Sequence, residues 1–187
     1  MPRVEIHGYA IVSDNDCIAD ASGQMPAALR NEADWATFQA ELNRSAVTVL
    51  GRLGHEAHPN PKKRLRLVLS SSSAGLEQRA DAWWWNPARL DWAEAIRAVL
   101  PEGGRVAVPG GRQVFDLFLG IGYDAFHLTR AEGILVPDGI PVFSECRGGR
   151  SAEQVLSAAG LIRGERQVLD PAVPVTQTIW RRADGNP

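Results

Sequence analysis

The 187-residue sequence has few cysteines, no long apolar run and almost no net charge. Its 20 Lys and Arg nearly balance its 22 Asp and Glu, and the formal net charge of −2 argues against a nucleic-acid partner. Two cysteines, Cys17 and Cys146, are too few for a disulfide framework or a zinc site, so we predict a reduced, cytoplasmic location. No stretch approaches the roughly 18 apolar residues of a transmembrane helix, so we predict no membrane association.

The remaining composition is that of a folded protein. Hydrophobic residues make up 44% and charged residues 22% of the chain, which is enough apolar surface to offset the entropy lost on folding. A typical domain has roughly 150 residues, so the length predicts a single domain over residues 1–182. We predict that residues 183–187 form a frayed tail. The oligomeric state stays open between a monomer and a homodimer.

Apolar periodicity predicts strands and helices that alternate along the chain. The predicted strands cover residues 4–12, 46–50, 65–69, 105–108 and 125–129, and helices follow the N-cap candidates Asn31, Asp91 and Ser151 and the Gly110-Gly111 pair. Two β-rich runs, 167–169 and 175–180, predict an antiparallel hairpin at the C-terminal end. The pattern predicts an α/β fold with a mostly parallel central sheet flanked by helices.

Three predicted strand ends carry groups that suit a phosphate. Gly110-Gly111 opens a helix, where the bare backbone and the free N–H groups allow an anion to approach closely. Gly51-Arg52 offers a guanidinium after a second strand, and Ser70-Ser71 ends a third. Ligands bind outside the carboxyl ends of strands in such sheets, so the three ends together favour a nucleotide site. Each feature alone fits equally well a tight connection, a solvated arginine or a polar loop.

Asp34 is the acid that stands out on the first predicted helix, since Phe38 lies at i+4 on the same face. A buried acid there would need a partner, whereas an acid in a first helical turn stabilises the helix by about 0.3–1 kcal/mol. Position alone favours this second role. His55 and His58 are three residues apart, but the prolines that follow disfavour a sustained helix, and we predict no metal site.

In chain order, seven short motifs resemble those of the dihydrofolate reductase family. They span roughly residues 4–143 and comprise Ala10-Ile11-Val12 with Ile18-Ala19, Met25-Pro26, Asp34-Trp35-Ala36-Thr37-Phe38, Val49-Leu50-Gly51-Arg52, Arg64 through Ser71, Gly110 through Phe115 with Phe118-Leu119, and Leu128-Thr129. The resemblance implies a single-domain fold with an eight-stranded, mostly parallel sheet and a C-terminal antiparallel hairpin.

The resemblance also implies hydride transfer from NADPH to a dihydropterin substrate. Asp34 matches the family's catalytic acid, which binds the pyrimidine edge of the pterin and helps to bring a proton to the imine nitrogen, and Thr129 matches its hydrogen-bonding support. Phe38 would pack on the pterin, and Met25 would lie in the mobile loop that closes over the nicotinamide. Tyr9 occupies a pterin-pocket position that is usually aliphatic in the family.

For the cofactor, the resemblance implies several contacts along one edge of the sheet. Ala10, Ile18 and Ala19 would line the nicotinamide pocket. The phosphate contacts would come from Gly51 and Arg52, those to the adenosine 2′-phosphate from Ser70 and Ser71, and those to the pyrophosphate from Gly110, Gly111, Arg112 and Gln113. In this family a cis peptide joins the glycine pair. Departures from the family pattern are Ala27 in place of Trp, Gly54 in place of Thr and Phe115 in place of Tyr.

Several functions remain open within this resemblance. Arg64 matches the arginine that binds the α-carboxylate of folate's glutamate, which favours reduction of dihydrofolate to tetrahydrofolate in one-carbon metabolism. Dihydromethanopterin reductase is an alternative with the same fold and cofactor. The riboflavin-pathway reductase of the same superfamily is a third candidate, although Asp34 argues against its ribosylated pyrimidine substrate. Outside enzymes, the chain could be a non-catalytic nucleotide-binding module.

Overall fold

Strands and helices alternate along residues 2–183, the part of the chain that the computed structural model describes. The strands are β1 Val4–Val12, β2 Cys17–Ala19, β3 Val47–Gly51, β4 Arg66–Leu69, β5 Leu76–Gln78, β6 Trp83–Trp85, β7 Gly104–Val108, β8 Ala125–Ala131, β9 Ile140–Pro141, β10 Leu161–Asp170 and β11 Val175–Arg182. The α-helices are α1 Glu32–Arg44, α2 Arg52–Ala57, α3 Trp92–Val99, α4 Arg112–Ile121 and α5 Ala152–Ala158. No helix within these residues is long and apolar enough to span a bilayer. Residues 184–187 of the predicted frayed tail lie outside the described range.

The main sheet has nine strands in the order β10-β11-β8-β1-β7-β3-β4-β6-β5. The strands from β8 to β6 are parallel to their neighbours, whereas β10, β11 and β5 pair antiparallel at the two ends. This confirms the predicted α/β architecture with a C-terminal antiparallel hairpin. The count of eight strands was wrong by one, because β5 adds an edge strand beside β6. A separate two-stranded sheet joins β2 to β9.

Side-chain caps start three of the helices where the sequence predicts them. The Asn31 side chain accepts the Asp34 N–H at 3.0 Å at the start of α1. Asp91 accepts a backbone N–H at 2.8 Å before α3, and Ser151 forms a reciprocal capping box before α5. Each cap satisfies a backbone donor that a helix leaves free at its first turn, so these starts are encoded locally.

Several short elements were not predicted from the sequence. The segment 52–57 forms the helix α2, which ends at the His58 cap, so the prolines after it limit the helix to six residues but do not prevent it. The Trp83–Trp85 triplet is strand β6, in which Trp84 and Trp85 are buried in different clusters. Adjacent side chains on a strand point to opposite faces, which explains how three tryptophans fit into one short segment.

The core lies mainly on one face of the sheet, where α3, α4 and α5 pack. Its largest fully buried side chains are Trp85, Phe115, Phe118, Phe126 and Phe143. Helix α1 covers the other face. Its apolar residues Trp35, Phe38 and Leu42 are only partly buried there: Leu42 is buried, whereas Trp35 is 58% exposed.

Candidate active site

Asp34 and Thr129 meet beneath the first turn of α1. The backbone N–H of Asp34 donates to the Asn31 side chain. Burial raises the pKa of the Asp34 carboxyl, and hydrogen bonding with the Thr129 hydroxyl offsets only part of this rise. Thr129 lies on β8, is 1% exposed, and accepts a hydrogen bond of 3.0 Å from the Gln177 side chain. Asp34 therefore lies in the first turn of the helix and also has a half-buried carboxyl. This carboxyl has the hydrogen-bond partner that a desolvated acid requires.

Tyr9 forms part of the floor below α1. Its ring stacks on His127 with centroids 4.5 Å apart, and it lies 5.8 Å from the ring of Phe38. The Tyr9 hydroxyl donates to Glu41 at 3.2 Å, and burial raises the pKa of Tyr9. Tyr9 and Phe38, both predicted to bind substrate, are thus in the same cluster, with the phenol hydroxyl already engaged.

A polar network that the sequence analysis missed continues from this floor. His7 Nδ1 lies 3.3 Å from His127 Nε2, and metal-ligating atoms of these two residues and Glu41 all fall within 4.8 Å of one another. Arg44 and Arg105 each pair with the Glu41 carboxylate at 2.9 Å. Because two guanidinium groups already compensate this carboxylate, the arrangement favours an ion-pair and hydrogen-bond network over a metal site. The signal in the sequence was the alternation of polar residues along one face of β1.

This network predicts a loss of stability in mild acid. Burial, followed by the charges of His7, Arg181 and Arg105, lowers the pKa of His127 from 6.5 to about 3 in the folded protein. The unfolded chain takes up a proton below about pH 6.5 and the native state does not, so the stability present above that pH is lost as the pH falls toward 3. We expect His127→Gln to flatten the pH dependence of urea unfolding by up to about 1.4 kcal/mol per pH unit. The exposed residue His58 provides the control His58→Gln, and equal slopes for the two variants would contradict the prediction.

Arg64 offers a free hydrogen-bond donor beside the C-terminal half of α1. Its Nη2 atom donates to Gln39 at 2.9 Å and to Asn43 at 2.7 Å, and its buried Nε has no hydrogen-bond partner within residues 2–183. Both contacts are neutral amides, so they hold the guanidinium in place without compensating its charge. Trp35 precedes Gln39 by one helical turn and lies on the same face of α1.

The loop between β1 and α1 is anchored at its first residues. Arg130 pairs with Asp16 at 2.8 Å and with Glu153 at 2.6 Å, and it donates to the Ser13 carbonyl at 2.7 Å. The second carboxylate oxygen of Asp16 accepts the Ala152 N–H at the start of α5. These contacts fix the entry to β2. Farther along, the segment carries the half-buried Ile18, the buried Ala19 and Met25, which is 42% exposed.

Four parallel strands, β1, β7, β3 and β4, bring the predicted cofactor residues other than Ile18 and Ala19 to one edge of the sheet. Ala10 lies near the end of β1, and Gly51 ends β3 opposite the last residue of β4. Ser70 follows β4 and is buried, with its hydroxyl 2.8 Å from that of Ser72, whereas Ser71 is exposed. Arg52 is also exposed, but it pairs with Glu56 one turn later at 3.0 Å, so its guanidinium is not free.

The Gly110-Gly111 pair links β7 to α4 through a cis peptide, as the resemblance implies. Gly110 has a φ of +107°, and a Cβ at this position would lie 2.7 Å from the Phe115 ring, so both conformation and space require glycine. Apart from the chain neighbours of Gly111, no atom of residues 2–183 lies within 4 Å of a Cβ built at this position. The Nε and Nη1 atoms of Arg112 are buried without partners among the described residues. Open backbone and unpaired guanidinium donors at a helix start suit a phosphate group. Gln113, which comes directly after Arg112, is exposed.

Comparison with known proteins shows similarity in structure only. No protein-family model and no curated protein sequence matches the chain. A protein assigned to riboflavin biosynthesis from Shewanella sp. PV-4 aligns over 96% of this chain and 99% of its own, with 19% identity and a TM-score of 0.67. Dihydrofolate reductase from Enterococcus faecalis, solved with NADP(H), aligns over 96% and 97%, with 16% identity and a TM-score of 0.65.

A third similar structure is a deaminase/reductase from Thermotoga maritima, named for diaminohydroxyphosphoribosylaminopyrimidine and 5-amino-6-(5-phosphoribosylamino)uracil. It aligns over 97% of this chain but only 57% of its own, with 16% identity and a TM-score of 0.67. The chain therefore has the dihydrofolate reductase-like fold.

Proposed function

We propose that the protein is an NADPH-dependent reductase that transfers a hydride to a dihydropterin. The observation that carries this proposal is Asp34, a half-buried carboxyl with a raised pKa that faces the Thr129 hydroxyl on this fold. Perturbed acids beside a sheet edge that suits a ligand are candidates for proton transfer. A pyrimidine ring with adjacent N–H donors is a suitable ligand for such a carboxyl.

In the proposed reaction, the Asp34 carboxylate accepts hydrogen bonds from the pyrimidine edge of the pterin and orients it. Its raised pKa favours a proton being held at the carboxyl closer to neutral pH, from which the imine nitrogen can be protonated. NADPH, when bound, supplies the hydride that adds to the imine carbon. Ala10, Ile18 and Ala19 would keep water away from this transfer.

The cofactor assignment is supported by the sheet edge. The unpaired Arg112 donors and the start of α4 would bind the pyrophosphate, beside the open backbone of Gly110 and Gly111. Ser70 and Ser71 would bind the 2′-phosphate, which predicts a preference for NADPH over NADH. Arg52 would have to exchange Glu56 for a phosphate, so we expect its contribution to be smaller than that of Arg112.

The proposed substrate is dihydrofolate, because Arg64 offers an uncompensated guanidinium that is held by Gln39, one helical turn after the exposed Trp35. We expect Arg64→Leu to raise the KM for dihydrofolate about tenfold or more with little change in kcat, since a charge-assisted hydrogen bond is lost in both the ground and transition states. Lys62→Leu removes a neighbouring exposed charge and is the matched control. An unchanged KM in Arg64→Leu would favour dihydromethanopterin.

A side-by-side assay tests the function. The purified protein is incubated with NADPH or NADH and with dihydrofolate, dihydromethanopterin or the ribosylated pyrimidine of the riboflavin pathway, and oxidation of the cofactor is followed. We expect turnover with dihydrofolate and NADPH. Comparable rates with NADH would contradict the role of Ser70 and Ser71. Tight cofactor binding without turnover on any substrate would favour the alternative of a non-catalytic nucleotide-binding module.

A further inference from the structure

Gln177 approaches the candidate active site from the C-terminal hairpin. It lies on β11 directly opposite Thr129 on β8, and its Nε2 atom is 3.0 Å from the Thr129 hydroxyl oxygen. Both residues are buried, at 7% and 1% exposure. This pair is a cross-strand contact between polar side chains in a desolvated place, where each donor and acceptor needs a defined partner.

The hydroxyl of Thr129 has a single proton to donate. When the Gln177 amide donates to the hydroxyl oxygen, that proton remains available for another acceptor. The Asp34 carboxyl is such an acceptor, since hydrogen bonding with Thr129 acts on it. Burial raises the pKa of Asp34, and this hydrogen bond acts in the opposite direction.

We propose that Gln177 is a positioning residue that donates to the Thr129 hydroxyl and thereby directs the single hydroxyl proton of Thr129 toward Asp34. The catalytic role of these hydrogen bonds rests on the proposed function, whereas their effect on the Asp34 carboxyl does not depend on it. It stabilises the ionised carboxylate, in which Asp34 can orient a bound pyrimidine, and opposes the effect of burial. Gln177 would thus act on the acid from a strand that lies more than a hundred residues away in sequence.

The test is a double-mutant cycle read out on the carboxyl itself. Gln177→Met keeps a similar volume but removes the amide, and Gln177→Leu provides a second variant if the first folds poorly. The full chain is labelled with ¹³C at its aspartate carboxyls, and the Asp34 signal is assigned by its loss in Asp34→Asn. The titration is recorded without any ligand, in the wild-type and in the Thr129→Val background.

We expect Gln177→Met to move the Asp34 titration to higher pH by about half a pH unit, roughly a threefold change in the protonation equilibrium. In the Thr129→Val background the same substitution should produce no further shift. Thr178→Val, on the opposite face of β11, is the control and should leave the titration unchanged.

Three results would overturn the proposal. The midpoint could stay unchanged in Gln177→Met while Thr129→Val raises it, or it could shift equally in both backgrounds. It could also move to lower pH, which would mean that Thr129 donates to Gln177 in the native protein.

The pH profile of kcat/KM for dihydrofolate separates the two proposals. A shifted carboxyl titration without pterin turnover would contradict the proposed function alone. Turnover with unchanged titration and profile in Gln177→Met would contradict the positioning role alone.

Discussion

Replacing Asp34 by Asn is expected to slow dihydropterin reduction by about 10²–10⁴-fold, because the amide cannot supply the proton that the imine nitrogen requires. The substitution is nearly isosteric and leaves the contact of the Asp34 N–H with Asn31 intact. NADPH binding should be unchanged, since the residues predicted to bind the cofactor's phosphates follow β7, β3 and β4 and do not include Asp34. Single-turnover hydride transfer and the Kd for NADPH, measured on the same preparation, check this.

The matched control is Glu32→Gln, which removes the other acid from the first turn of α1. It should cost the same helix-dipole stabilisation, about 0.3–1 kcal/mol, without slowing hydride transfer. If Asp34→Asn weakened cofactor binding as much as it slowed transfer, or if Glu32→Gln slowed transfer equally, the catalytic role of Asp34 would be wrong.

Replacing Arg130 by Met is expected to lower the free energy of unfolding by about 3 kcal/mol or more. The substitution leaves the buried Asp16 carboxylate and the partly buried Glu153 without their cation. The Ser13 carbonyl loses one of its two donors and keeps the Asp16 N–H. Removing one partner of a buried ion pair leaves an uncompensated buried charge. The loss of stability therefore exceeds the loss from breaking a surface ion pair. Urea unfolding at neutral pH measures the effect.

Arg150 forms an exposed ion pair with Glu145, and Arg150→Met is the control. We expect a change within about 1 kcal/mol for this variant. Asp16→Asn in the Arg130→Met background should recover part of the lost stability, because it removes the uncompensated charge. If the two single arginine variants were equally stable, Asp16, Arg130 and Glu153 would not form a stabilising cluster.

Most of the fold could be predicted from local signals. Caps at Asn31, Asp91 and Ser151 and apolar strands fixed the long elements, since both act over a few residues. The helix α2 and the strand β5 were missed because they are short, and their stability comes from neighbours in the sheet. Alternation of apolar residues cannot show which strand lies beside a three-residue segment such as Leu76–Gln78.

The candidate site was predictable where one residue or one turn carries the signal. Asp34 and Gly110-Gly111 came from motifs, and the structure puts the first beside Thr129 and the second at the start of α4. The contacts of Gln177 could not be predicted, since they depend on the register between β11 and β8. The pairing of Arg52 with Glu56 was also missed, although its i, i+4 spacing was visible.

The central position of β1 has a consequence for how the chain folds. β1 is synthesised before both its neighbours, β7 and β8, which come about 100 residues later, and Val4 pairs with Gly104. Until those residues have left the ribosome, the two edges of an apolar strand have no native partner. High sequence separation of contacts slows folding, and unpaired strand edges promote aggregation. We therefore expect the sheet to close late during synthesis, from the centre outward, with the Thr129–Gln177 contact among the last to form.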